Sequence, residues 1–279
     1  MKKFIALILI GVILSCTLSL PAFAFDNINQ SDNLSVASVY GKSEEELSHF
    51  SSQLLEAMES NLYGAENVIT EKSYFVLRKN NQTKEEEVIS VTKEKYEQVI
   101  SGTSISPRVT RPYEEAGIGI LTTALVHKAG MTETASVLLE LEDSFIPNPS
   151  STSTAILAAS ISDGEILDSG NYGYYSYTYL GRNYKQNYSH MEKANYRAIS
   201  VDLPNMLGHT NRKLYIAYDF NRYSNQNFAT VSSAFGCSTK VLSIGVSSLP
   251  SSFLEFLQGF IINEFEYNFE GVPATEYYA

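Results

Sequence analysis

The sequence has few cysteines and no tryptophan. Its 279 residues include two cysteines, Cys16 and Cys237, and Cys16 lies in an N-terminal segment that we expect to be cleaved off. The remaining chain would hold one thiol, which cannot form an intramolecular disulfide. Because the chain is long enough to bury a substantial apolar core, we expect packing alone to stabilise the fold.

Positive charge is also scarce. Lys and Arg number 20 against 31 Asp and Glu, which gives a formal net charge of −11 at pH 7. The basic residues form no stripe along the sequence, so nothing offsets the long-range repulsion of a polyanion. We therefore expect no nucleic acid among the partners of this protein.

The N-terminal segment has the three parts of a secretory signal peptide. Two lysines precede an apolar run over residues 4–14, and Ala22-Phe23-Ala24 places small side chains at both positions that a signal peptidase requires. The apolar run is too short to span a bilayer stably. We expect residues 1–24 to be removed by cleavage after Ala24, which predicts a secreted or extracellular protein with no membrane span in the mature chain.

A second interpretation of the same segment is a lipoprotein signal. The sequence Ile13-Leu14-Ser15-Cys16 approximates a lipobox, in which Cys16 would be lipidated and become the mature N-terminus. Cleavage after Ala24 is favoured, because Leu14 is larger than the usual residue and the apolar tract continues past Cys16.

The chain up to residue 117 is predicted to contain a small unit between two irregular segments. A capping box at Ser43 begins an amphipathic helix that ends near Gly64, a β-hairpin follows, and Thr92 caps a second short helix. Residues 25–42 are polar and have too few apolar groups to pack. We therefore predict a disordered lead-in over 25–42, a small N-terminal α/β (helix–hairpin–helix) unit over 43–105 and a connector over 106–117.

From residue 118 onward the pattern changes to short apolar runs between turn residues. Two such runs flank Lys128-Ala129-Gly130, as the arms of a hairpin would. No long helical pattern interrupts the runs, which is typical of an antiparallel β-sandwich. The predicted fold class is mainly β, with a jelly-roll or Ig-like sandwich over 118–279 whose later strands fall near 172–180, 195–203, 213–220, 227–236 and 240–248.

Tyrosine is concentrated in one of the predicted strands, over residues 172–179. Alternate residues of a strand share a face, so Tyr175, Tyr177 and Tyr179 lie together on one side. Tyrosine favours strands and packs well against cross-strand neighbours. We predict that this face is mainly packed against the rest of the protein.

The remaining tyrosines of this region are the candidate binding residues. Tyr172 and Tyr174 share the opposite strand face, and Tyr184 and Tyr188 follow in a predicted loop. Phenol rings can stack on sugar rings and offer hydroxyl groups, which indicates a glycan, a cell-wall polymer or another protein as the partner. The lack of tryptophan favours ordinary packing of the same rings.

No motif in the sequence indicates catalysis or a cofactor. The segment Ile166 to Gly170 contains Asp168-Ser169-Gly170 and resembles the signature of aspartic proteases, but it has no second copy and Asn171 departs from the family pattern. The four histidines have no metal-pair spacing, so no metal site is predicted. We expect a binding module without catalytic residues; the alternatives are an extracellular hydrolase and, from the Ser/Thr-laced runs at 150–161 and 229–248, a pore-forming β protein.

Overall fold

A computed structural model describes most of the chain. The predicted signal peptide, the alternative lipidation site at Cys16 and most of the predicted connector lie outside the described residues. No helix in the described part is long and apolar enough to cross a membrane. The described residues are 27–28, 34–102, 112–162, 164–204 and 207–278.

Three short helices form the N-terminal part: α1 Val36–Tyr40, α2 Glu44–Ser48 and α3 Ser52–Leu62. The predicted capping box is present, because the Glu46 amide donates to Ser43 Oγ at 3.2 Å and the Ser43 amide donates to the Glu46 carboxylate at 2.8 Å. One continuous helix over 43–64 was expected, whereas the structure has two. Ser51 separates them, since its hydroxyl accepts from the Leu54 amide and begins a new helix.

The segment 25–42 was predicted to be disordered, but its described residues include a short strand and a helix. Residues 27–28 form strand β1, which pairs with a later strand, and α1 buries Val36, Val39 and Tyr40. The segment has few apolar groups, but the helical spacing of Val36, Val39 and Tyr40 turns these three toward the sheet. They pack against apolar side chains from elsewhere in the chain, which composition within the segment does not reveal.

The described strands form two antiparallel sheets, so the predicted mainly β fold is confirmed. One sheet has nine strands. Seven follow the order β1-β2-β4-β5-β12-β8-β9, β3 also pairs with β2, and β7 also pairs with β12. The other has six, in the order β10-β11-β6-β13-β14 with β15 beside β13. The bounds are β1 Asn27–Ile28, β2 Ala65–Asn80, β3 Glu86–Val91, β4 Tyr113–Lys128, β5 Thr132–Leu141, β6 Ser153–Ile161, β7 Glu165–Ile166, β8 Tyr172–Tyr179, β9 Arg182–Asn187, β10 Met191–Lys193, β11 Tyr196–Leu203, β12 His209–Asn221, β13 Phe228–Ser238, β14 Tyr267–Glu270 and β15 Ala274–Tyr277.

The main core lies between the two sheets. Alternate residues of β4, β5 and β12 from the larger sheet meet alternate residues of β6, β11 and β13 from the smaller one. A second apolar cluster fills the space between the larger sheet and the helices α1 to α3. The larger sheet is therefore covered on one side by the smaller sheet and on the other by the N-terminal helices.

The predicted hairpin within 43–105 is present but belongs to the larger sheet. β2 and β3 pair as predicted, and helix α4, Lys93–Ile100, begins after Thr92. However, β2 also pairs with β4 along most of its length, from Ala65 to Asn80. The predicted division between 43–105 and 118–279 therefore does not coincide with a break in the sheet.

The segment after β13 is irregular where a strand was predicted over 240–248. It contains a 3₁₀-helical turn, Val246–Ser248, and its Leu242 amide donates to Thr154 Oγ1 at 2.8 Å. Serine and glycine interrupt the apolar residues, which favours turns over a ladder. After Pro250 the chain forms α5 Phe253–Glu255, a π-helix Phe256–Ile261 and α6 Ile262–Glu264.

Cys237 lies in β13 with its side chain fully buried in the main core. Burial raises the pKa of its thiol far above the ordinary value, so the thiolate is not formed at neutral pH. We expect Cys237→Ala to lower the free energy of unfolding by about 1 kcal/mol through the lost sulfur contacts. Urea unfolding measures this, and a thiol reagent that modified the native protein as fast as the unfolded chain would contradict the burial.

Candidate functional site

The tyrosine-rich strand β8 forms a hairpin with β9 at one edge of the larger sheet. Tyr177 lies directly opposite Tyr184 in this pair, so the two rings share a face of the sheet. Tyr172 and Tyr174 project from the opposite face. Tyr184 was predicted in a loop but lies in a strand, and the sheet separates it from Tyr172 and Tyr174, so the candidate residues do not form a single site.

The face that carries Tyr172 and Tyr174 is partly covered by the N-terminal helices. The Tyr172 hydroxyl donates to Ser60 Oγ of α3 at 3.4 Å. The Tyr174 ring is stacked 6.4 Å from the ring of Tyr215, and the Lys185 ammonium group lies 4.1 Å from its centroid. Both tyrosines are half-buried, so little of this face is left open to a ligand.

Exposure increases along the other face toward the β8–β9 turn. Tyr175 is fully buried between the sheets and Tyr177 is half-buried. Tyr179 and Tyr184 are each 39 % exposed. The packed face predicted from strand periodicity is therefore packed at Tyr175 and open at Tyr179.

A stack of aromatic rings occupies the open part of this face, and we call it the aromatic edge surface: Tyr177, Tyr179, Tyr184 and His209. The Tyr177 ring lies between its two neighbours, 5.4 Å from Tyr184 and 4.2 Å from His209, and is within 15° of parallel to each. The His209 ring meets Tyr179 edge-on at 5.2 Å. Offset and edge-to-face contacts of this kind stabilise the arrangement and fix the ring orientations.

His209 was not singled out by the sequence, and its position depends on strand pairing. It begins β12 and lies opposite Tyr179 of β8. These two residues are far apart along the chain, and only the register of β8 against β12 brings them together. The sequence offers one local signal for His209: the turn before it indicates that a strand begins there.

The aromatic edge surface is electrically neutral at pH 7. Burial, followed by the positive charge of Arg212, lowers the pKa of His209 below its ordinary value, so the imidazole is uncharged. Burial, followed by the neighbouring Tyr184, raises the pKa of the Tyr177 hydroxyl. Among the described residues His209 Nδ1 has no hydrogen-bond partner. The surface can therefore stack on an uncharged ring.

Tyr188 follows β9 and is held in place by contacts within the protein. Its backbone amide donates to the Gly173 carbonyl at 2.8 Å, and its hydroxyl donates to Gln186 Oε1 at 2.7 Å. Its ring packs against the main core. Burial, and then the charge of Asp202, raises the pKa of its hydroxyl to about 12.

The other chemistry-bearing residues lie apart from this surface. Asp168 and Ser169 are exposed in the turn before β8, where the Asp168 carbonyl accepts from the Asn171 amide group at 3.0 Å. Within the described part of the chain, one group offers three donor atoms to a metal ion: His127, Glu133 and Glu276.

Comparison with known proteins gives no family for this chain. No family model matches the sequence, and no curated protein is similar to it. Among solved structures, the collagen-binding domain of a surface protein, RspB, from Erysipelothrix rhusiopathiae aligns with a TM-score of 0.30 at 8% identity, over 77% of this chain and 67% of that one. The pilus backbone protein RrgB from Streptococcus pneumoniae aligns with a TM-score of 0.29 at 13% identity. The match covers 42% of this chain and less than half of the pilus protein, 44%.

Proposed function

We propose that the protein is a secreted or cell-surface binding module that holds a glycan, such as a cell-wall polysaccharide, on the aromatic edge surface. The observation that carries this proposal is the stack of Tyr177, Tyr184 and His209, which packs on itself and remains partly open to solvent. Aromatic rings exposed together on a soluble protein commonly mark a contact site. Here the contacts between the rings hold them in place before any ligand arrives.

The chemistry of the surface fits an uncharged sugar. The axial C–H groups of a pyranose form an apolar face that packs flat against a phenol ring, while the hydroxyls at its rim need hydrogen-bond partners. Arg182 lies opposite Tyr179, and Gln186 lies opposite Tyr175 in β9, so exposed polar side chains flank the rings. Rigid rings lose little conformational freedom on binding, which favours affinity.

Binding is proposed rather than proteolysis because the protease-like segment lacks the setting that its chemistry needs. An aspartic protease holds two carboxylates close together so that they share a proton. Asp168 is instead exposed to solvent in a turn.

We expect Tyr184→Ala to weaken polysaccharide binding by about tenfold or more, because it removes one exposed ring of the stack. The free energy of unfolding should change by less than about 1 kcal/mol, since the ring is partly solvated in the native state. Pull-down with insoluble cell-wall polysaccharides identifies the ligand. Because the protein has no tryptophan, quenching of tyrosine fluorescence by soluble fragments gives the affinity.

Tyr63→Ala is the matched control. Tyr63 is 86 % exposed at the end of α3 and belongs to no ring pair among the described residues. Retention by polysaccharide should be unchanged in this variant. Equal retention of Tyr184→Ala and the unmodified protein, or retention of neither, would exclude the aromatic edge surface as a glycan site.

A further inference from the structure

Charged side chains replace apolar ones at one end of the main core. Glu133 in β5 lies opposite His127 in β4 on one side and Phe220 in β12 on the other. Phe220 belongs to the main core, so Glu133 and His127 share the face that points between the sheets. From the smaller sheet, Glu276 of β15 faces them. Asn221 ends β12 here, whereas the aromatic edge surface lies where β12 begins.

Glu133 is fully buried, and only one of its two carboxylate oxygens has a hydrogen-bond partner among the described residues. Its Oε1 atom accepts from the Tyr278 hydroxyl at 2.7 Å and lies 2.9 Å from His127 Nδ1. Its Oε2 atom has no hydrogen-bond partner in the part of the chain that the structure describes. A buried oxygen with spare capacity is costly unless something binds it.

Glu276 is held so that its carboxylate reaches the same point. Asn67 Nδ2 donates to Glu276 Oε1 at 2.7 Å, and the Tyr278 hydroxyl lies 3.3 Å from Glu276 Oε2. The Tyr278 hydroxyl therefore lies within hydrogen-bond distance of both carboxylates. This places two acidic groups from different sheets on either side of one phenol oxygen.

Carboxyl groups outnumber cationic groups in this cluster. Glu66 approaches His127 Nε2 at 3.7 Å, so three carboxylates surround the imidazole. The guanidinium group of Arg222, whose Nε lies 3.6 Å from Glu133 Oε1, supplies one positive charge. Three carboxyl groups thus share one guanidinium group at the edge of an apolar core, where a bound divalent cation would offset their charge.

We propose that His127, Glu133 and Glu276 form a site for a divalent transition-metal ion, for which Zn²⁺ is the best chemical fit. One donor atom from each residue lies within 4.8 Å of the other two. Donors around tetrahedral zinc are about 3.3 Å apart, so binding requires only that the side chains move inward. One imidazole nitrogen and two carboxylate oxygens suit zinc, whereas calcium requires six or more oxygens.

The proposed ion would join the two sheets. His127 and Glu133 belong to β4 and β5 of the larger sheet, and Glu276 belongs to β15 of the smaller one. An ion bound to all three would fasten the last strand of the chain across the open end of the core. Because a folded site binds the ion and an unfolded chain does not, the ion would stabilise the native state.

The test is zinc titration of chelator-treated full-length protein by calorimetry and by thermal unfolding. We expect one Zn²⁺ per chain and a rise of roughly 5 °C in the unfolding midpoint when free Zn²⁺ is about 100 times its dissociation constant. His127→Gln and Glu276→Gln should each weaken binding by at least about tenfold, and the rise should disappear. Both residues are only half-buried, and unfolding without metal verifies that the variants fold.

His49→Gln and Glu264→Gln serve as matched controls, because these exposed side chains lie outside the cluster. Both controls should bind zinc as the unmodified protein does. No zinc binding, binding that survives His127→Gln and Glu276→Gln, or stabilisation by Ca²⁺ in place of Zn²⁺ would each overturn the proposed site. None of these substitutions touches the aromatic edge surface, so the result does not depend on whether a glycan binds there.

Discussion

Tyr175→Ala is expected to lower the free energy of unfolding by about 3–5 kcal/mol, which is among the largest effects of a single substitution in this protein. The side chain is fully buried between the sheets, and its ring is stacked 5.2 Å from the ring of Tyr177. Removing it leaves a cavity that the two sheets can fill only partly. Urea unfolding followed by circular dichroism measures the loss.

Tyr175→Phe distinguishes the contribution of the ring to stability from that of its hydroxyl. The Tyr175 hydroxyl is buried and has no hydrogen-bond partner among the described residues, so its removal should be neutral or stabilise the protein by up to about 1 kcal/mol. Tyr179→Ala is the control on the same strand face, where the ring is 39 % exposed, and should cost less than about 1 kcal/mol. Equal costs for Tyr175→Ala and Tyr179→Ala would contradict the difference in burial.

The contrast between Tyr175 and Tyr179 marks what strand periodicity can predict. The period of two correctly places these rings on one side of β8, because the direction of a side chain is a local property of the backbone. How much of that side is covered depends on the second sheet. That sheet is built from residues near 155, 199 and 235, so the extent of burial is not a local property.

The candidate sites depend even more on long-range register. Tyr177 and Tyr184 are close in sequence, and a hairpin between them could have been proposed from the chain alone. His209 joins them only through the pairing of β12 with β8. Glu133 and Glu276 meet only because β15 pairs with β13 and then faces β5 across the core. Spacing rules for metal ligands detect neighbours in sequence and therefore could not find this cluster.

At the N-terminal helices, the composition of the segment suggested disorder where the structure has a packed helix. Residues 34–42 contain too few apolar side chains to form a core of their own. Tyr40 nevertheless has only 1 % of its surface exposed, because the larger sheet supplies the rest of the cluster. A segment that docks on an existing apolar face needs only the side chains on its own contact side.

Tyr40→Ala is therefore expected to destabilise the protein by about 3–5 kcal/mol, as a buried core aromatic would. The ring packs between α1 and the larger sheet, and its hydroxyl lies 2.6 Å from Ser136 Oγ. Ser136 Oγ in turn donates to the Tyr215 hydroxyl, which also accepts from Asn61 Nδ2 at 2.7 Å. The Tyr40 hydroxyl is thus part of one buried hydrogen-bond network that connects α1 and α3 to the sheet.

Tyr40→Phe keeps the ring and should cost about 1 kcal/mol, because Ser136 still has Tyr215 as a partner. Tyr63→Ala, in the same helical part but 86 % exposed, should leave the unfolding midpoint unchanged. Hydrogen exchange locates the effect: in Tyr40→Ala the amides of α1 should lose protection before those of β12. If Tyr40→Ala unfolded at the same urea concentration as Tyr63→Ala, residues 34–42 would not be docked, and the disorder expected from their composition would be correct.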